Sequence, residues 1–209
     1  MYNNLVYERH HLIDGVDKWI WPISDNGAWD GPHKEWPEHR EAYRKYTRDQ
    51  RCVIQAGGNC GLYPRLLSNI FSLVYTFEPD PLNFHCLVNN CQKDNIVKFN
   101  CALGEHNSRV TVIRNSMENV GMHQVAELEN SALPQLTIDS LNLQPSMVSL
   151  DVEGYEPNVI RGAIETIRTY TPLVVCERGG DTILNILKDI DSRYFLVDKR
   201  YEDCYYIVE

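Results

Sequence analysis

Val53-Ile54-Gln55-Ala56-Gly57-Gly58-Asn59-Cys60-Gly61 is the stretch whose reading decides the fold. The apolar run from Cys52 to Ala56 stops at glycines, the pattern of a buried strand that runs into a sharp turn. Behind the turn, Leu62, Leu66, Leu67 and Ile70 fall at helical spacing, which predicts a helix over 62–71. Glycines let a backbone turn tightly and let a ligand come close, and the following helix start offers free N–H groups. The turn is not GxGxxG, and it lacks the Lys of a phosphate-binding P-loop. Tight strand–helix packing accounts for such a turn almost as well as a ligand does.

The next motif strengthens it. Leu73 to Phe77 reads as a strand, and Glu78 ends it in Thr76-Phe77-Glu78-Pro79-Asp80. Glu78 lies about twenty residues past the glycines, the spacing at which a carboxylate meets a ribose diol in nucleotide-binding βαβ units. Its other reading is a solvent-exposed strand end. Asp80 caps a helix that has Pro81 at its first position. A third strand, 96–99, leads into Asn100-Cys101-Ala102-Leu103-Gly104, a loop that a doubly wound sheet brings to the same crevice.

Further along, 109–114 reads as an extra strand and 115–131 as a long loop. The fourth main strand, 148–152, leads into Leu150-Asp151-Val152-Glu153-Gly154-Tyr155-Glu156 and a helix over 157–169. Asp151 and Glu153 are two apart, so an extended backbone would aim both at one side. Paired carboxylates there act as general bases or metal ligands, or only cap and orient the loop. Glu156, near a helix start, reads as a cap. The remaining strands are 173–176, then 194–197 and 204–208, with a helix over 182–190 between. The last connection is too short for a parallel crossover, so the final pair is an antiparallel hairpin. The expected fold is α/β: a Rossmann-like, doubly wound, mostly parallel sheet with a C-terminal antiparallel hairpin.

Outside this core, all four tryptophans (Trp19, Trp21, Trp29 and Trp36) lie in the first 36 residues among turn signals. The segment reads as an irregular cap whose aromatics cover the core or line a pocket. A helix follows over 38–49, with Pro37 near its first turn. The expected division is 1–50 as cap and helix, and 51–209 as one compact cofactor-binding unit.

The 209 residues carry a net charge of −9, a field that repels nucleic acid and anionic membranes. The basic run Arg40, Arg44, Lys45, Arg48 and Arg51 reads as a solvated helix face. Seven cysteines without paired spacing argue against a disulfide framework and against zinc. No metal is expected. With no apolar signal-peptide core and no membrane-spanning run, the chain reads as soluble and cytoplasmic.

The ordered motifs resemble the FkbM family of class I methyltransferases. They are Gly57-Gly58-Asn59-Cys60-Gly61, Phe77-Glu78-Pro79-Asp80, Asn100 to Gly104, Leu136-Thr137-Ile138-Asp139, and Asp151 to Glu156. Val159-Ile160-Arg161-Gly162-Ala163 and the strand ending in Glu177 fit the same pattern, so the resemblance runs from about Val53 to Glu177. It implies an S-adenosyl-L-methionine-dependent methyltransferase that O-methylates a hydroxyl of a small-molecule acceptor such as a sugar or glycan. The implied cofactor residues are Gln55, Gly57, Gly58, Asn59 and Gly61 at the methionine part, Glu78 and Pro79 at the ribose, and Cys101 and Ala102 near adenine. Asp151 and Glu153 are the candidate bases, with His123 in reserve; its competing reading is an exposed loop histidine. Two positions depart from the family: Gln55 stands where an acid is usual, and Ser149 where a Lys often is. An amide accepts a hydrogen bond from an ammonium but brings no charge. Two other classes stay open: a fold-retaining binder without turnover, which Gln55 favours, and an NAD-dependent oxidoreductase, which the missing GxGxxG and the terminal hairpin disfavour. The oligomeric state is not legible.

Overall fold

The computed structural model describes residues 2, 4–13, 15–26, 30–116 and 118–209, with the backbone only for 30–33. Trp29 and Gly27 lie outside the described residues.

The chain opens with β1 (Val6–Ile13) and β2 (Val16–Pro22), an antiparallel hairpin, followed by α1 (Asp30–Tyr46). This corrects the expected irregular cap. In β2 the residues alternate, with Trp19 and Trp21 turned into the core and Lys18 turned out to pair with Glu8. Pro37 sits inside α1 rather than at its start. It removes only one N–H from the helical ladder, and the flanking turns continue on both sides.

The central layer is built by β3 (Cys52–Ala56), α2 (Leu62–Leu67), β4 (Leu73–Phe77), α3 (Pro81–Asn90) and β5 (Ile96–Phe99). Next come four short strands: β6 (Ala102–Leu103), β7 (Ser108–Arg114), β8 (His123–Ala126) and β9 (Leu133–Leu136). The main layer resumes with β10 (Met147–Leu150), α4 (Glu156–Arg161), α5 (Ile164–Tyr170), β11 (Leu173–Glu177) and α6 (Gly180–Ile190). It closes with β12 (Tyr194–Arg200) and β13 (Asp203–Val208).

Seven strands form the main sheet in the order β12-β13-β11-β10-β3-β4-β5. β5, β4, β3, β10 and β11 run parallel, and β13 is antiparallel to both β11 and β12. The fold is therefore the expected Rossmann-like α/β sheet with a C-terminal hairpin. From β3 the chain winds outward through β4 and β5, then returns to the other side of β3 as β10. The reversal leaves a crevice at the carboxyl ends of β3 and β10, where ligands of such sheets sit.

Successive strand residues enter opposite cores, as the period of two requires. Val53, Val74, Met147 and Val175 join α2, α3, Tyr43 and the three described tryptophans on one face. Ile54, Val148, Val174 and Cys176 join Val159, Ile167, Ile183 and Leu187 on the other. The N-terminal hairpin and α1 thus share a core with the sheet. All seven cysteines are buried and unpaired. Among the described residues no helix is long and apolar enough to cross a membrane.

The helix expected over 62–71 ends at Leu67, and two further expected elements differ. The loop over 115–131 contains a short helical turn, Val120–Met122, and β8, which pairs antiparallel with β7. The helix over 157–169 is two helices, broken at Gly162-Ala163. A Cβ on Gly162 would stand 1.9 Å from the Gly104 carbonyl oxygen, so the chain bends where that backbone crosses.

Candidate functional site

Register alignment places Leu150 beside Ala56, so Gly57 and Asp151 leave adjacent strand ends together. Gly57 has φ 83°, and a Cβ there would meet the Asp151 carbonyl oxygen at 1.8 Å. Only glycine fits both demands. The Gly57 and Gly58 N–H groups donate to the Phe77 carbonyl, which pins the turn to β4. A Cβ on Gly58 would stand 2.5 Å from Leu87 of α3, so the turn packs hard on that helix.

Above the turn lies a cavity of about 320 Å³. Its wall includes Gly57, Gly58, Asn59, Glu78, Pro79, Ala102 and Leu103, with Tyr63 from α2. Val112, Val120, His123, Gln124 and Val125 come from β7, β8 and the turn before β8. Asp151, Glu153, Glu177 and Arg178 complete it. The volume falls within the range of small-molecule sites.

Glu78 is 5% exposed. Its Oε2 accepts from the Asn59 N–H at 2.7 Å, and its Oε1 accepts from the Asp80 N–H at 2.7 Å. Burial raises its pKa to about 7, although these two backbone donors oppose the shift. Each oxygen keeps a second lone pair for a ligand hydroxyl. The Asn100 side chain donates to the Glu78 and Pro79 carbonyls, which ties the loop after β5 to the cavity rim.

Gln55 is not in the wall. It is buried beneath the turn, where its amide donates to the Gly57 carbonyl at 2.8 Å and accepts from the Thr76 hydroxyl at 2.6 Å. The structure thus gives Gln55 the task of bracing the turn from below, not the expected reach toward an ammonium. Cys101 is likewise buried, and neither it nor Gly61 is a wall residue.

Asp151 and Glu153 do meet, but not as extended neighbours. β10 ends at Leu150, and Glu153 and Gly154 take positive φ (54° and 95°), which folds the segment back on itself. The turn is held by Glu156, whose Oε1 accepts from the Val152 N–H at 3.0 Å and the Gly154 N–H at 3.4 Å. Glu177, at the carboxyl end of β11, joins them: one carboxylate oxygen from each of Asp151, Glu153 and Glu177 lies within 4.8 Å of the others. Glu177 was legible only as a strand end. Arg178 Nη1 lies 3.4 Å from Glu153, and its Nη2 3.5 Å from Glu177. Asp151 is open to solvent through the cavity, yet it is surrounded by protein on its other sides. That setting, with the charges of Glu177, Asp203 and Glu153, holds its carboxyl above the usual range. Burial and Glu177 raise Glu153 as well, against the pull of Arg178. Such a floor attracts a positive ligand.

His123 begins β8 and is not an exposed loop residue. Its Nδ1 lies 3.0 Å from Asp80 Oδ2, and the ring is 9% exposed. Burial pushes Asp80 up, but His123, Arg114 and the Leu82 N–H outweigh it and hold the carboxyl well below the usual range. The turn before β8 is latched from two sides. Asp25 accepts from the Val120 N–H at 3.1 Å, and Asn83 donates to the Val120 carbonyl at 3.0 Å. Of the tryptophans, Trp19, Trp21 and Trp36 are buried in the core, and Trp21 also reaches the cavity wall.

A family model described as the methyltransferase FkbM domain matches residues 63–195. The chain belongs to the FkbM methyltransferase family. Among solved structures, the FkbM methyltransferase of Methylobacillus flagellatus KT matches with TM-score 0.54 and 17% identity, over 80% of this chain and 50% of that one. Trm5b of Pyrococcus abyssi matches with TM-score 0.54 and 12% identity, over 96% of this chain and 54% of that one. TYW2 of M. jannaschii, solved in complex with AdoMet, matches with TM-score 0.53 and 11% identity, over 97% of this chain and 87% of that one. At these identities the likeness is one of fold. This FkbM-family chain spans about half the length of the first two. No curated protein matches it significantly.

Proposed function

We propose that the chain binds S-adenosyl-L-methionine in the switch-point cavity and transfers its methyl group to a hydroxyl of a small-molecule acceptor, with a sugar or glycan as the favoured class. The observation that carries the reading is Glu78: a buried carboxylate at the end of β4, in the wall of the cavity, with one lone pair on each oxygen still free. A ribose diol satisfies both. Pro79, Ala102 and Leu103 offer an apolar wall for adenine. Gly57 to Asn59 would hold the methionine part, and Asp151, Glu153 and Glu177 would supply to its positive groups the charge that Gln55 lacks.

The cofactor brings a methyl group already activated on a positive sulfur, so the chain's residues mainly align the acceptor. A hydroxyl acceptor also needs its proton removed. Asp151, with its raised pKa, is suited to receive that proton, and Glu153 and Glu177 are placed to stabilise it afterward. His123 is held against Asp80, which makes it a support for the cavity wall rather than the base.

The test is incubation with methyl-labelled S-adenosyl-L-methionine and a panel of glycosides and phenols, read by mass spectrometry. Label should appear on a hydroxyl oxygen, and Asp151→Asn should reduce turnover about a hundredfold while cofactor affinity falls far less. Full turnover in both Asp151→Asn and Glu153→Gln would remove the carboxylate base.

A further inference from the structure

Beside the cavity lies a second group of polar side chains that the cofactor reading does not use. Glu177, in the cavity wall, is the direct cross-strand partner of Asp203. Paired residues of an antiparallel ladder project to the same face. Asp203 Oδ2 in turn lies 3.5 Å from Nδ1 of His39, a residue of α1 that is 1% exposed. His39 Nδ1 also meets the Tyr205 hydroxyl at 2.5 Å. This leaves Nε2, which is buried, without a hydrogen-bond partner among the described residues. It points toward Glu35, but at 3.7 Å from Oε2 the pair is too far apart to bond. One turn back, the Trp36 Nε1–H is also buried without an acceptor among the described residues.

Two orphaned ring nitrogens three residues apart are costly to leave unmet. The chemistry of the set is selective. Trp36 only donates, Glu35 and Asp203 chiefly accept, and neutral His39 Nε2 does one or the other by tautomer. Burial lowers the His39 pKa to about 4, so the ring is uncharged. An anion would meet Glu35, Asp203 and Glu177. A cation finds no use for the indole N–H. A hydroxyl both donates and accepts, and it fits every member. Around this set stand aromatic rings: Tyr63, which is also in the cavity wall, lies 6.2 Å from His39, and half-exposed Tyr201 lies 5.6 Å from it. Aromatic faces pack against the C–H face of a sugar.

We propose that Glu35, Trp36, His39 and Asp203 form the hydroxyl-binding subsite for the acceptor, a neutral sugar whose reactive end extends past Tyr63 and Glu177 into the methyl-transfer cavity. The inference rests on the methyl-transfer reading for its direction, but not for its chemistry. It assigns α1 a substrate-positioning role and makes the acceptor a polyol rather than an acid or an amine.

The test is a titration of the ¹⁵N-labelled full chain with methyl glycosides of the common neutral hexoses, with and without S-adenosyl-L-methionine, read at the tryptophan indole N–H resonances. The Trp36 resonance, assigned with Trp36→Phe or through-bond spectra, should shift saturably with at least one glycoside. Trp19, whose N–H already donates to the His11 carbonyl and which is not in the cavity wall, should not move with the sugar. Glu35→Gln should weaken that glycoside about tenfold, the loss of a hydrogen bond to a charged group. No Trp36 shift with any glycoside, or unchanged affinity in Glu35→Gln, overturns the subsite. A Trp36 shift in a chain that binds no S-adenosyl-L-methionine upholds the subsite and rejects the methyl-transfer reading. Cofactor binding with a silent Trp36 does the reverse.

Discussion

Glu78 is charged at a cost, and that cost is measurable. Its folded pKa of about 7 stands above the ordinary glutamate value of 4.5. Below pH 4.5 both folded and unfolded chains hold the proton, and Glu78 takes nothing from stability. Between pH 4.5 and 7 the unfolded chain releases the proton first, so stability falls as pH rises, and above pH 7 the full penalty remains. The shift corresponds to about 3 kcal/mol. Glu78→Gln removes the ionisation but sets an amide N–H₂ against one backbone donor, which returns about 1 kcal/mol. Urea unfolding should therefore find Glu78→Gln about 2 kcal/mol more stable than wild type at pH 8, with that advantage gone at pH 4. Asp203, raised by burial in the same direction to about 7, keeps a residual slope in both proteins. Equal stability at pH 8 would mean that Glu78 is not ionised against a burial penalty. At this scale the sequence was informative where chemistry is local. Gly57, Gly58 and Glu78 were legible as neighbours in one crevice because a sharp turn needs glycine and a charged strand end shows in the spacing. Gln55 was misplaced because its partners, Thr76 and the Gly57 carbonyl, are set by strand register and turn geometry. Glu177, Asp203 and His39 come together only through β11, β13 and α1, which no spacing along the chain reveals.

Elements in this fold are held by long-range polar contacts as much as by their own caps. α5 has no cap of its own at Ala163. Instead, Asp139 reaches its first turn: Oδ1 accepts from the Thr166 N–H at 2.8 Å and Oδ2 from the Glu165 N–H at 3.1 Å. A carboxylate there answers both the free N–H groups and the helix dipole. Asp139→Ala should lower stability by about 2 kcal/mol in chemical denaturation while leaving cofactor affinity unchanged, and Asp139→Asn should recover about half of that. A loss below about 0.5 kcal/mol would show that water replaces the carboxylate freely. Main-sheet elements were readable because each strand is short, apolar and bounded by glycine, proline or a charged end. The N-terminal hairpin was not. β1 is exposed along most of its length and carries no apolar alternation, so its partner β2 read as a cluster of tryptophans rather than as a strand. β8 was missed for the same reason, being four residues of mixed polarity whose strand state comes from pairing with β7.

For the whole molecule, the decisive feature is the reversal of strand order between β3 and β10. It puts Gly57, Glu78, Asp151 and Glu177 around one cavity although they are spread over more than half of the chain. The N-terminal hairpin and α1 close the same structure from the side: Asp25 latches the turn before β8, and Trp19, Trp21 and Trp36 enter the core beneath it. We propose that residues 1–50 act as the acceptor-binding cap and 51–209 as the cofactor-binding unit, built as one packed body. The net charge of −9 agrees with a neutral acceptor and a positive cofactor. The central claim is that the crevice at the switch point holds S-adenosyl-L-methionine through Glu78. Isothermal titration calorimetry of the wild-type chain and of Glu78→Gln with S-adenosyl-L-methionine tests it most directly. The account predicts saturable one-to-one binding by the wild type, weakened about tenfold or more in Glu78→Gln. No binding by the wild type, or equal affinity in the two proteins, would contradict it.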